Sequence, residues 1–101
     1  MYKLLFFEEV YSDLDKLDQN TLIIVREYFK KYEKNPYKYS QKLYNQGGLN
    51  LEGYRKTYIA DAKYRIVIKI EENKIKIVQV VAVGERKDLQ VYKEADKRLK
   101  S

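Results

Sequence analysis

The stretch Tyr64-Arg65-Ile66-Val67-Ile68-Lys69-Ile70, followed after Glu71-Glu72-Asn73 by Lys74-Ile75-Lys76-Ile77-Val78-Gln79-Val80-Val81-Ala82-Val83, decides the fold class. In its first half the even positions are apolar and Arg65, Val67 and Lys69 take the other face, the period of a strand. The second half alternates Lys and Ile and then turns almost wholly apolar, the pattern of a strand inside a sheet. Upstream, Tyr54–Ile59 has the same period of two, and Ala60-Asp61-Ala62-Lys63 supplies the turn between them. Three such segments in close succession predict an antiparallel meander.

Outward from this core the period changes. Residues 37–53 are polar and rich in Tyr, with Gly47-Gly48 and Gly53, and read as a connecting loop. Before them Leu22, Val25, Phe29 and Tyr32 recur at helical spacing, with Asn20 as the expected N-cap and Asn35-Pro36 as the stop. Ser12 is the expected cap of a shorter helix carrying Leu14 and Leu17, ending near Asp18-Gln19. The run Tyr2–Phe7 reads as a strand buried on both faces, a candidate central strand. After Gly84, Asp88 is the expected N-cap of a last helix with Leu89, Tyr92, Ala95 and Leu99 on one stripe. The prediction is a single α+β domain over 1–101 in the order β-α-α-β-β-β-α. Two N-terminal helices pack on a small, mainly antiparallel sheet, and a short helix closes the chain.

Composition narrows the chemistry. The chain has 101 residues, 21 Lys and Arg against 15 Asp and Glu, and neither His nor Cys. Without imidazole or thiolate, the serine and cysteine triads and the usual zinc sites are excluded, and no cofactor is expected. The formal charge is +6, and 11 of the 14 aromatic residues are Tyr. Flat amphipathic rings on a basic surface suit a nucleic acid, although a basic chain that uses Tyr in its core has the same profile. No stretch approaches a membrane span, and Glu8-Glu9 interrupts the apolar N-terminus, so a cytoplasmic protein is expected.

Three residues stand out against this frame. Arg65 carries a charge between apolar neighbours on a central strand, which sends it to the sheet's open face; its ordinary reading is a salt bridge to Asp61 or Glu71. Arg86 follows Gly84 at a strand end, where a side chain can be aimed across the mouth of the sheet or can be a plain turn cation. Tyr92, one of many tyrosines, has a core position as its ordinary reading.

Taken together, Tyr64-Arg65, then Gly84-Glu85-Arg86, then Tyr92 six residues on, resemble the C-terminal half of the RelE family of bacterial toxins. The element order, the Asn35-Pro36 helix stop and Lys42-Leu43 ahead of the second strand are similar as well. The resemblance implies the toxin of a type II toxin–antitoxin pair, partnered by a RelB-like antitoxin, that cuts mRNA on the ribosome without a metal. In such a reaction a ribose 2′-OH attacks the adjacent phosphate, which calls for a base, charge stabilisation and an acid. By position, Arg65 and Arg86 would clamp the phosphate, and Tyr92 would stack on or orient the nucleotide or assist proton transfer. RelE relatives also place two basic residues, two apart, on the second strand. Counted back from Arg65 these positions fall on Lys56 and Tyr58; counted forward from Tyr54 they fall on Arg55 and Thr57. Alternation favours the first register, with Lys56 catalytic and one basic residue missing. Tyr58 or Lys63 would then take its place, and Arg55, Tyr58, Lys63 and Lys87 are the further expected RNA contacts. Two other readings stand beside this one. A ParE-like relative would bind DNA gyrase without cutting RNA, a branch against which Tyr92 argues. A basic binding module would have no activity at all.

Overall fold

The computed structural model describes residues 1–44, 51, 53–85 and 87–100, and of Asp88 only the backbone. In chain order the elements are β1 (Lys3–Phe6), α1 (Glu9–Asp15), α2 (Gln19–Lys34), β2 (Gln41–Lys42), β3 (Arg55–Ile59), β4 (Tyr64–Glu72), β5 (Lys76–Glu85), a 3-10 turn (Lys87–Leu89) and α3 (Gln90–Lys100). The strands form one five-stranded sheet in the order β1-β5-β4-β3-β2. The expected meander β3-β4-β5 is antiparallel throughout, and β1 lies parallel to β5.

Two departures from the sequence reading concern the sheet's edges. The candidate central strand, β1, is an outer strand, because the crossover through α1 and α2 returns the chain beside β5 and nothing follows on the far side. Its apolar residues divide accordingly: Leu4 and Phe6 pack toward α2, while Leu5 stays exposed. At the opposite edge, Gln41 and Lys42 of the expected loop pair with Lys56 and Arg55 as β2. Leu43 and Leu51 then turn under the sheet and are buried, which ties this segment down. Residues 45–50, including Gly47-Gly48, lie outside the described residues.

The sheet is covered on both faces, not one. Ile59, Ile66, Ile68, Val78, Val80 and Val83 face α1 and α2, where Val10, Val25 and Tyr32 complete the main core. Val67, Val81 and Ala82 face α3 and pack on Val91, Tyr92 and Ala95, with Leu43 and Leu51 alongside. A bulge explains how Val80-Val81-Ala82-Val83 can be apolar without a break. The β4–β5 register slips at Val67/Ile68, so Val81 and Ala82 share one face while Val80 and Val83 share the other.

Helix starts also differ. Ser12 lies inside α1, which begins at Glu9 without a side-chain cap, because Val10 must be helical to reach the core. Asp18, not Asn20, caps α2, accepting from the Thr21 N–H at 2.8 Å, and that hydrogen bond holds its carboxyl below the usual range. α3 is preceded by the 3-10 turn, and the Asp88 side chain lies outside the described residues. No described helix is long and apolar enough to cross a membrane.

One buried ion pair joins the two helical layers. β1 pairs with β5 only as far as Val80, so the next residues of β5 have no strand beside them. Asp13 of α1 accepts the Val83 N–H at 3.0 Å, and Arg98 of α3 donates to the Val81 carbonyl at 2.9 Å. The two side chains also meet in a two-pronged contact, 2.7 Å on each arm. Asp13 and Arg98 thus stand in for a missing strand, satisfying backbone groups that burial would otherwise leave unpaired. The same contact holds the Arg98 guanidinium above its ordinary pKa.

A second polar link joins α2 to β3. The Tyr32 hydroxyl donates to Thr57 Oγ, which donates to the Tyr39 carbonyl at 2.7 Å. Burial pushes the Tyr32 phenol well above its ordinary pKa of 10.0. Tyr2 is pushed to about 12 by its hydrogen bond to Glu72, but at an exposed site. A raised phenol pKa contributes stability that is present below the unfolded pKa and is lost as pH rises from about 10 toward the folded value. Urea titrations should therefore show the chain losing stability from about pH 10 upward, and Tyr32→Phe should flatten that loss while costing about 1 kcal/mol at neutral pH.

The β3–β4 turn is left-handed at three successive residues, Ala60, Asp61 and Ala62, with φ of 52°, 55° and 68°. A Cβ makes this region unfavourable, so a Gly at one of these positions relieves strain. Ala62→Gly should raise stability by about 0.5–1 kcal/mol in chemical denaturation, the reverse of the usual sign for this exchange.

Candidate active site

The β3–β4 register sets which side chains converge. Lys56 lies opposite Val67 and Tyr58 opposite Arg65, so Lys56, Tyr58 and Arg65 share the α3 side of the sheet. Thr57 and Ile59 face the main core, as the first of the two sequence registers requires. Arg55 falls on the opposite face and is tied down there. Its Nε donates to Ser40 Oγ at 2.7 Å and its Nη2 to the Ser40 carbonyl at 2.9 Å, with the guanidinium carbon 5.2 Å from the Tyr37 ring centre. The structure therefore does not bring Arg55 to Arg65.

Arg65 is not on an open face. It is 5% exposed, held between the Tyr58 ring and the main chain of the β3–β4 turn. The expected ion pair with Asp61 or Glu71 is absent among the described residues; Nη1 donates instead to the Ala62 carbonyl and, at 3.2 Å, to that of Tyr64. The guanidinium carbon lies 3.8 Å from the centre of the Tyr58 ring, within cation–π range. Lys56 Nζ is 5.0 Å from the same ring centre, so one phenol is flanked by two cations. Tyr58 itself is 42% exposed. Arg65 Nε is buried and has no hydrogen-bond partner among the described residues. A buried guanidinium with an unused donor is suited to an anion that can supply the missing acceptor.

The other expected site residues have different positions. Tyr92 is 2% exposed and packs in the second core with Val67, Val81 and Ala95, which is its ordinary reading. Stacking on a nucleotide would require α3 to leave the sheet. Arg86 lies outside the described residues. Lys63 is exposed in the β3–β4 turn, its Nζ 5.5 Å from the Tyr64 ring centre, and Lys87 is exposed on the 3-10 turn. Among the described residues no cluster of acidic side chains is placed to hold a metal ion.

Sequence reasoning missed what holds Arg65. The partner is a main-chain carbonyl in a left-handed turn, and no residue type announces it. The Tyr58–Arg65 stack was available in principle from strand pairing, since a four-residue turn after Ile59 places the two opposite each other.

No protein-family model matches the chain, and no curated protein matches it in sequence. Solved structures do. A mutant form of the E. coli toxin RelE in the free state is 25% identical, with a TM-score of 0.72 over 97% of this chain and 97% of that one. The isolated E. coli RelE toxin is 24% identical, with a TM-score of 0.66 over 98% of this chain and 99% of that one. The RelBE2 toxin–antitoxin complex of Mycobacterium tuberculosis contains a chain 23% identical, with a TM-score of 0.68 over 84% of this chain and 98% of that one. Over nearly the whole length of the RelE structures, this chain shares the fold of the RelE toxins.

Proposed function

We propose that this chain is the toxin of a type II toxin–antitoxin pair, a metal-independent endoribonuclease that cuts mRNA in the ribosomal A site and is neutralised by a RelB-like antitoxin. It acts in the cytoplasm as one domain, 1–101. The fold supports the coarser part of this reading, since its solved neighbours are toxins and several are held in complexes with RelB. The observation that carries the finer part is Arg65, a buried guanidinium with an unused Nε, stacked against an exposed tyrosine with a lysine beside it.

The reaction that suits these groups is transesterification. The 2′-oxygen attacks the adjacent phosphorus and its proton passes to a base. The 5′-oxygen leaves with a proton from an acid, so the products are a cyclic phosphate and a free 5′-OH. Negative charge builds on the non-bridging oxygens, and in this reading Arg65 takes it. Tyr58 covers the guanidinium, so its ring turns outward as the phosphate enters, leaving its hydroxyl at the rim. Lys56 and Tyr58 are the proton-transfer groups of this reading, Arg86 supplies a second cation, and Tyr92 supports the site from the core.

Primer extension on translating ribosomes tests the reading. Cleavage between A-site nucleotides, strongly reduced in both Arg65→Ala and Lys56→Ala, is the expected result. Absence of cleavage together with inhibited supercoiling by gyrase would establish the ParE-like alternative. Cleavage at the wild-type rate in both variants would remove the site assigned here.

A further inference from the structure

We infer that the β2 edge of the sheet is a track for single-stranded RNA, separate from the Arg65 site and anchored in a cavity about three residues further along β3. The cavity, about 630 Å³, is walled by Tyr37, Tyr44 and Tyr54, with Lys42 and Arg55 at its margin. Tyr44 is 69% exposed and Tyr37 46%, proportions a core aromatic does not show. Arg55 is held in one orientation by Ser40, so its charge is presented without loss of side-chain freedom. Beside it lies a second depression of about 240 Å³, lined by Lys38, Tyr39, Lys56 and Tyr58, where β3 runs past the end of β2.

Four cations lie beside tyrosine rings around this edge. Lys56 lies 5.0 Å from the Tyr58 ring centre, Lys38 5.6 Å from Tyr39, Arg55 5.2 Å from Tyr37, and Lys69 5.5 Å from Tyr54. Flat faces spaced by positive charges fit the repeat of a single strand, in which bases stack and phosphates follow between them. A rise of about 3.3 Å per residue puts Arg55 about 10 Å from Tyr58 along β3. A strand leaving the Arg65 phosphate therefore reaches the cavity within a few nucleotides by passing over the exposed Gln41 and Lys42. An acidic peptide would satisfy the cations but not the three tyrosines that line the cavity. The track requires no cleavage and so stands apart from the endonuclease reading.

The test is an anisotropy titration of a short fluorescein-labelled oligoadenylate with the full chain and with Tyr44→Ala, Tyr44→Trp and Lys42→Ala. Both positions are exposed, and matching melting curves verify that each variant is folded. Tyr44→Ala should weaken binding about tenfold and Tyr44→Trp should restore it. Lys42→Ala should reduce the slope of log affinity against log salt by about 0.7, one phosphate contact on a single strand. An affinity that Tyr44→Ala leaves unchanged, or a salt slope indifferent to Lys42→Ala, overturns the track, as does preferential binding of polyglutamate over the RNA. A chain that binds oligoadenylate through Tyr44 yet cuts nothing on ribosomes supports the track and refutes the endonuclease reading alone.

Discussion

Arg98→Ala will lower the melting temperature by more than about 12 °C. Removing one partner of a buried ion pair costs about 3–5 kcal/mol, because the other charge is left in a dry site. In a domain near this size each kcal/mol moves the transition by about 4–8 °C. Arg98 and Asp13 are both buried, their contact has two arms, and Arg98 donates to the Val81 carbonyl as well. Asp13→Ala will cost a similar amount by removing the carboxylate that Arg98 meets in the buried pair and the acceptor of the Val83 N–H. Many buried ion pairs can be exchanged for apolar residues without loss. This one cannot, since Asp13→Leu with Arg98→Met leaves two backbone groups of β5 without partners, at about 1–3 kcal/mol each. Differential scanning calorimetry of the two single variants and the double variant decides the matter. A double variant as stable as the wild type would show that β5 needs no such edge.

The second large effect is on cleavage. On the endonuclease reading proposed above, Arg65→Ala should slow cutting at the A site by about 100-fold or more, the usual cost of removing a transition-state charge partner. Arg65→Lys keeps the charge but not the planar fork, and should recover only a small part of that loss. Both variants also lose the hydrogen bonds to the turn carbonyls of Ala62 and Tyr64, worth about 1 kcal/mol each. That loss of stability is too small to unfold the chain, so circular dichroism should show both variants folded under assay conditions. Initial rates by primer extension supply the measurement. If Arg65→Lys cuts as fast as the wild type, Arg65 serves the β3–β4 turn and not the phosphate.

Much of this was legible before folding. The alternation at Tyr64–Ile70 and the helical spacing of Leu22, Val25, Phe29 and Tyr32 each set an element type, and the element order followed. Alternation also selected the register that groups Lys56 and Tyr58 with Arg65. The misplaced helix starts, Ser12 for Glu9 and Asn20 for Asp18, come from a single cause. Several residues in each segment can cap, and burial of Val10 and the Asp18–Thr21 contact chose among them.

The sequence by itself determined the α+β element order apart from the two-residue β2, the meander, the sharing of a face by Arg65, Lys56 and Tyr58, and the exclusion of imidazole and thiolate chemistry. Tertiary structure alone decided that β1 is an outer strand, that Arg65 and Tyr92 are buried, and that Asp13 and Arg98 complete the edge of β5. The physical reason is that periodicity reports which side chains point the same way. What covers that side depends on contacts between residues as far apart as Asp13 and Arg98, which no local pattern records.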